Sequence, residues 1–203
     1  MTIRGVVFDI GGVLEYTPST GYWERWHERL GLEADAIDKG LMGMGLDGGL
    51  GTCTEAEWLA GLREITGMNQ TQIDEFMSDL WEEYLGTLNG ELVEYVRGLR
   101  PRFQTAILSN SFLGAREKEQ EHYSFEDLVD VLIYSHEVGL AKPDRRIYAL
   151  TCERLNLKPE EIIFVDDVEV NIEGARAFGM HGILFKDNSQ TIGDIKGLIK
   201  STG

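Results

Sequence analysis

The sequence holds only two cysteines in 203 residues, Cys53 and Cys152, far apart and in no CxxC or Cys/His spacing. A secreted disulfide framework and a Cys/His metal centre therefore have no support. Positive charge is equally scarce: 19 Lys and Arg face 35 Asp and Glu, a formal net charge of −16. A surface that acidic repels nucleic acid and anionic membranes, so both are excluded as default partners, and any anion site must be locally positive. No apolar run approaches the roughly 18 residues of a membrane span. Met1 to Phe8 run straight into a strand-like apolar cluster without the layout of a signal peptide. A soluble, cytoplasmic protein is expected. A P-loop is missing, and Gly43-Met44-Gly45-Leu46-Asp47-Gly48 matches GxGxxG by letter but follows no strand, so a dinucleotide site fails its structural test.

What is present is an ordinary core-forming chain, 42% hydrophobic and 27% charged. This length buries roughly 70% of its unfolded surface without staples. Short β-branched apolar runs fall at 3–8, 104–109, 130–134, 161–166 and 182–185, and helical patterns separate the last four. That alternation predicts an α/β fold, a doubly wound, Rossmann-like parallel sheet covered on both faces. Polar tails follow the runs: Asp9-Ile10-Gly11-Gly12, Ser109-Asn110-Ser111, Ser135-His136 and Asp166-Asp167. In such sheets ligands bind at the carboxyl ends of the strands, near the switch point of strand order. Residues 16–88 read as helices only, far more than a crossover needs, and are expected to form an inserted helical cap. The core is then 1–15 plus 89–203. Thr54-Glu55-Ala56-Glu57 is a capping-box pattern ahead of one of the cap helices. The tryptophans at 23, 26, 58 and 81 are expected to be mostly cap core.

Each strand-end motif has a plain alternative. Asp9 followed by two glycines puts a carboxylate where backbone N–H groups can converge on a ligand; a turn capped by Asp9 fits equally. Asp166 and Asp167, adjacent after a buried strand, repel each other, and one of them can cap the helix expected near Val168. With Asp9 at the neighbouring strand end, three carboxylates converge, which a hard divalent cation such as Mg2+ resolves. Pro143 suits a first helical turn, which places Lys142 at the positive end of a helix, misplaced unless it serves an anion. Ser109, Asn110 or Ser111 can cap a helix expected near Phe112, leaving a hydroxyl free for a phosphate oxygen.

In this order, and each at a strand end, the four elements resemble the haloacid dehalogenase superfamily. The likeness covers nearly the whole chain and is sharpest over Ser135–Asp144 and Phe164–Met180. It is closest to the small-helical-cap branch that includes the phosphatase domain of soluble epoxide hydrolase and bacterial sugar-phosphate phosphatases. The resemblance implies a Mg2+-dependent phosphatase acting on a small phosphorylated molecule, as a monomer or homodimer. Asp9 is then the nucleophile that forms an aspartyl-phosphate. The metal is held by the Asp9 carboxylate, the Gly11 carbonyl and Asp167, with Asp166 beside it. Ser109 and Lys142 neutralise the phosphoryl oxygens, helped by Asn110 and by backbone N–H groups at residues 10–12, Gly11 and Gly12 among them; Asn171 orients the acid loop.

One position departs from the pattern. Family phosphatases carry a second Asp two residues after the nucleophile, as general acid and base, and here that position is Gly11. The loss points to a substrate with a good leaving group, such as a sugar 1-phosphate or an aryl or acyl phosphate, or to proton transfer by Glu15 or His27. The alternatives are a 2-haloacid dehalogenase, whose relatives also lack this Asp, and a non-catalytic binder of a phosphorylated metabolite. His122, His136 and His181 show no partner spacing and are read as packing or surface residues.

Overall fold

The computed structural model describes residues 2–202. Five short strands form one parallel sheet: β1 (Gly5–Phe8), β4 (Gln104–Ser109), β5 (Val131–Tyr134), β6 (Ile162–Asp166) and β7 (His181–Leu184), in the order β5-β4-β1-β6-β7. Every residue of β1 is buried, as a central strand covered on both faces requires. Its side chains alternate between two cores. Val6 and Phe8 join Leu92, Val96 and Ile195, from α5 (Gly90–Leu99) and α11 (Asn188–Thr202). Val7 joins Ile147, Tyr148 and Ile172, from α9 (Arg145–Leu155) and α10 (Glu169–Phe178). The chain builds outward from β1 through β4 to β5, then returns to place β6 on the other flank of β1. The switch point therefore lies between β1 and β6, with Phe8 opposite Val165.

The cap helices are α1 (Tyr22–Leu30), α2 (Ala36–Gly43), α3 (Glu55–Thr66) and α4 (Gln70–Leu85). They enclose a third core of Trp26, Ile37, Trp58, Leu62 and Phe76. The Thr54/Glu57 capping box forms as expected, and a second, Asn69 with Gln72, starts α4. Residues 16–88 are not purely helical. An antiparallel ribbon, β2 (Glu15–Tyr16) with β3 (Thr87–Leu88), flanks the helical block. Two-residue strands carry no period that a sequence pattern can reveal. The crossovers are completed by α6 (Ala115–Tyr123), α7 (Phe125–Leu128) and α8 (Ser135–Val138).

Two helix starts differ from expectation, whereas α10 begins at Glu169 with Val168 as its N-cap, as expected. α6 begins at Ala115 behind a left-handed Gly114, not near Phe112. α9 begins at Arg145, N-capped by Asp144, so Pro143 lies before the helix. Among the described residues no helix is long and apolar enough to cross a membrane.

Candidate active site

Asp9 sits one residue beyond β1, fixed to its neighbour strand by its own N–H to the Val165 carbonyl at 2.9 Å. The Ile10 N–H donates to Asp9 Oδ1 at 2.8 Å. The following coil is tight: the N–H groups of Val13, Leu14 and Glu15 all point at the Ile10 carbonyl. Gly12 adopts φ +71° and lies so close to Asp167 that a Cβ there would come within 2.1 Å of Oδ2, so only glycine fits. Gly11 is different. A Cβ at Gly11 would meet Glu15 Oε1 at 3.5 Å and Thr17 Oγ1 at 3.6 Å, ordinary contacts.

Lys142 joins the two strand ends. Its side chain is fully buried, and Nζ lies 2.7 Å from Asp9 Oδ2 and 2.7 Å from Asp166 Oδ2. Because α9 starts at Arg145, Lys142 does not stand in a first helical turn as expected. What holds Lys142 inside is two carboxylates, not the end of a helix. Asn110 fixes the lysine's backbone from both sides: its Nδ2 donates to the Lys142 carbonyl at 3.0 Å, and the Lys142 N–H donates to Asn110 Oδ1 at 2.8 Å. The residue expected to contact phosphate thus positions the lysine, with one amide hydrogen left over.

Asp166 is wholly buried, and both its oxygens are engaged, by Lys142 Nζ, by the Val168 N–H at 2.8 Å and by Asn171 Nδ2 at 3.1 Å. Asn171 therefore orients the acid loop, as the resemblance implied. Asp167 is exposed beside it and accepts no hydrogen bond from another side chain among the described residues. One oxygen from each of Asp9, Asp166 and Asp167 lies within 4.8 Å of the others. Three carboxylates face one ammonium, an excess of negative charge that burial makes costly. Burial raises the Asp9 carboxyl above the usual carboxylate range against the pull of Lys142, and burial with Asp166 raises Asp167. A hard dication fits this donor set, with Asp9 and Asp167 offering oxygens and Asp166 committed to Lys142. Ser109 is buried at the end of β4, and its hydroxyl makes no hydrogen bond among the described residues, which leaves a donor for a ligand.

Other expectations settle differently. Ser111 caps no helix; its hydroxyl lies 2.7 Å from His136 Nδ1, so His136 has the partner that spacing did not reveal. His27 is buried in α1 with Nδ1 against the Trp23 carbonyl at 2.8 Å, inside the cap. Glu15 is buried; Oε1 accepts from the Thr17 hydroxyl at 2.5 Å, Oε2 has no partner, and burial pushes the carboxyl up to about 7.

Two features were not expected from the sequence: a buried acid, and the seating on the core of a glycine-rich stretch whose expected role was a flexible cap turn. Glu119 is buried with the Tyr134 hydroxyl donating at 2.5 Å and Tyr84 as a second partner, and burial pushes it up to about 7. It lies in the charged run Arg116–Glu121, which looks solvated. The glycine-rich turn at 45–51 docks onto the core. Ser135 Oγ donates to the Gly49 carbonyl at 2.7 Å, and a Cβ at Gly51 would strike the His136 carbonyl.

Residues 3–179 match the family model for haloacid dehalogenase-like hydrolases. The chain is 31% identical to Phosphatase MT3486 of Mycobacterium tuberculosis, over 94% of this chain and 91% of that one. It is 28% identical to bifunctional epoxide hydrolase 2 of Sus scrofa, over 97% of its own length, but spans only 39% of that protein. A solved HAD family enzyme of Bacteroides thetaiotaomicron, in complex with magnesium and inorganic phosphate, superposes with a TM-score of 0.77 at 24% identity, covering 94% and 98% of the two chains.

Proposed function

The chain belongs to the haloacid dehalogenase-like hydrolases, and from that premise we propose that it is a Mg2+-dependent phosphatase of a small phosphomonoester, working through an aspartyl-phosphate on Asp9. The observation that carries this reading is the cluster of Asp9, Asp166 and Asp167 around one fully buried lysine. The relative from M. tuberculosis is named a phosphatase, and the magnesium and phosphate of the Bacteroides enzyme agree with the same chemistry. We place the division between core and cap at the β2–β3 ribbon.

Asp9, Asp167 and the Gly11 carbonyl would hold the metal, which supplies positive charge to the transferring phosphoryl group. Lys142 adds a second charge, and Ser109 with the N–H groups of Gly11 and Gly12 adds donors. An Asp9 oxygen forms the bond to phosphorus while the ester oxygen leaves with its bonding pair and takes a proton. Water then supplies the oxygen that releases inorganic phosphate and restores the carboxylate. Lacking an acid at Gly11, the protein favours alcohols that depart readily, of the sugar 1-phosphate or aryl phosphate kind.

The test is phosphate release from aryl phosphate, sugar 1-phosphates and sugar 6-phosphates, with Mg2+ and with EDTA, for the wild type and Asp9→Asn. Metal-dependent release that vanishes in the variant is expected. Silence across the panel would overturn the reading and make 2-haloacids, then simple metabolite binding, the next trials.

A further inference from the structure

Lys142 stands between Asp9 and Asp166 although its own segment, Gly139 to Asp144, lies outside every helix and strand. Asn110 holds the lysine's backbone on the side of β4. On the side of β6 the corresponding brace is a contact between α9 and α10. Tyr148, the fourth residue of α9, is fully buried, and its hydroxyl donates to the Asn171 carbonyl of α10 at 2.7 Å. Asn171 is the residue whose side-chain amide reaches both oxygens of Asp166. The Tyr148 ring meets Phe164 edge to face with centroids 5.9 Å apart, and Lys142 Nζ lies over that same Phe164 ring at 5.6 Å.

Gly174 closes the contact from the other helix. It is the sixth residue of α10, an interior position where glycine weakens a helix relative to alanine. Its backbone is not in the left-handed region, so local conformation gives no reason for glycine. Packing does. A Cβ there would lie 3.0 Å from Pro143 Cβ, 3.1 Å from the Tyr148 hydroxyl and 3.2 Å from Tyr148 Cε2, all tighter than ordinary contact. α10 thus sits down on the residue next to Lys142 and on the hydroxyl that holds Asn171. Phenylalanine would fill the Tyr148 site without burying a hydroxyl, which costs free energy unless it is bonded. Here the bond goes to Asn171.

We propose that Tyr148 and Gly174 are positioning residues for the reaction: through Asn171 and Pro143 they fix the separation of the acid loop from the lysine loop, and so keep Lys142 Nζ between Asp9 and Asp166. The kinetic consequence rests on the phosphatase reading above, whereas the placement of Lys142 does not.

Tyr148→Phe removes one oxygen, and Gly174→Ala adds one carbon while favouring the helix. Either should lower kcat for 4-nitrophenyl phosphate about tenfold and leave KM within about twofold, because a displaced lysine is lost to the transition state before it is lost to the bound ester. A residue that only filled space would move the urea midpoint and not kcat. A readout without turnover is a cycle of urea midpoints with Lys142→Met. In the Tyr148→Phe background the drop caused by Lys142→Met should shrink by roughly a third, since the lysine is already less well held. Should one of these variants fail to fold, Gly174→Ala and Lys142→Arg take the places of Tyr148→Phe and Lys142→Met. A fallen kcat together with a shrunken drop upholds the proposal. In an active enzyme, an unchanged kcat or additive midpoints overturns it and leaves the phosphatase standing. If the wild type releases phosphate from no ester, the phosphatase reading falls and the cycle alone decides: a shrunken drop upholds the placement of Lys142, and additive midpoints overturn that too.

Discussion

Gly11→Asp restores the carboxylate that phosphatases of this family use to protonate the leaving group, and the structure says that it fits. Gly11 is not in the left-handed region, and a Cβ there meets its neighbours at 3.5 and 3.6 Å, so neither strain nor clash opposes the change. Those neighbours are the Glu15 carboxyl and the Thr17 hydroxyl. Glu15, pushed up to about 7 by burial, is protonated in about half of the molecules at neutral pH, and in that form it can hydrogen-bond the new carboxylate. A positioned general acid is worth about 10²–10⁴ in rate, roughly 3–5 kcal/mol of barrier, but only where the departing oxygen needs a proton. Turnover of a sugar 6-phosphate should therefore rise by about 10²-fold, whereas 4-nitrophenyl phosphate should change less than about threefold. The assay is kcat across esters of graded leaving-group basicity, for which the dependence on basicity should flatten in the variant. An equal gain on both kinds of ester would refute the reasoning, because it would show that Gly11→Asp acts on the phosphoryl group or the metal and not on the leaving oxygen.

The buried Glu119 sets a pH dependence of stability. Its carboxyl titrates near 7 in the fold and near 4.5 when unfolded, so its contribution is full below about pH 4.5 and is lost as pH rises through 7. The loss is on the order of 3 kcal/mol; Glu119→Gln should be the more stable protein at pH 8 and equal to wild type at pH 4.5, and urea melts that show no pH-dependent difference would refute this. Lys142→Met strands two buried carboxylates and should cost about 3–5 kcal/mol without metal; a loss below about 1 kcal/mol in the same melts would contradict the pairing of Lys142 with Asp9 and Asp166. Saturating Mg2+, at a hundred times its Kd, should return about 2.7 kcal/mol to that variant through its remaining carboxylates. Gly12→Ala places a methyl group against Asp167 at a positive φ, and should remove any Mg2+-dependent rise in Tm while the sheet still folds; an unchanged rise would place the metal elsewhere.

The core was legible because its signals are local. Each strand is a short buried run ended by a polar residue, and the five runs from 3–8 to 182–185 fall within about two residues of the observed strands. The convergence of Asp9 and Asp166 was legible for the same reason, since a parallel sheet brings strand ends together whatever fills the crossovers. Helix starts were read less well. The loop after β4 spends its first polar residues outside itself, Asn110 on Lys142 and Ser111 on His136 of α8, while Asp166 at the end of β6 accepts from the Val168 N–H and from Asn171. A rule that assigns each polar residue to the next helix cannot see bonds that run between loops. Glu119 stayed hidden because only tertiary packing distinguishes a buried acid from its solvated neighbours in a charged run.

The cap shows the limit more sharply. A cavity of about 500 Å³ on the seam between cap and core is lined by Trp23, Leu46, Trp58, Leu80 and Phe112, which come from five separate stretches, and each alone reads as packing. Their helical spacing is satisfied equally by a filled core and by a wall, because periodicity reports which side of a helix avoids water and not what lies across from it. Trp26 and Trp58 are both buried, yet only Trp58 faces the cavity. The glycines of 45–51 let the turn lie against Ser111, Ser135 and His136. The strand-end motifs are contiguous in the sequence, whereas this lining is assembled only when cap and core meet.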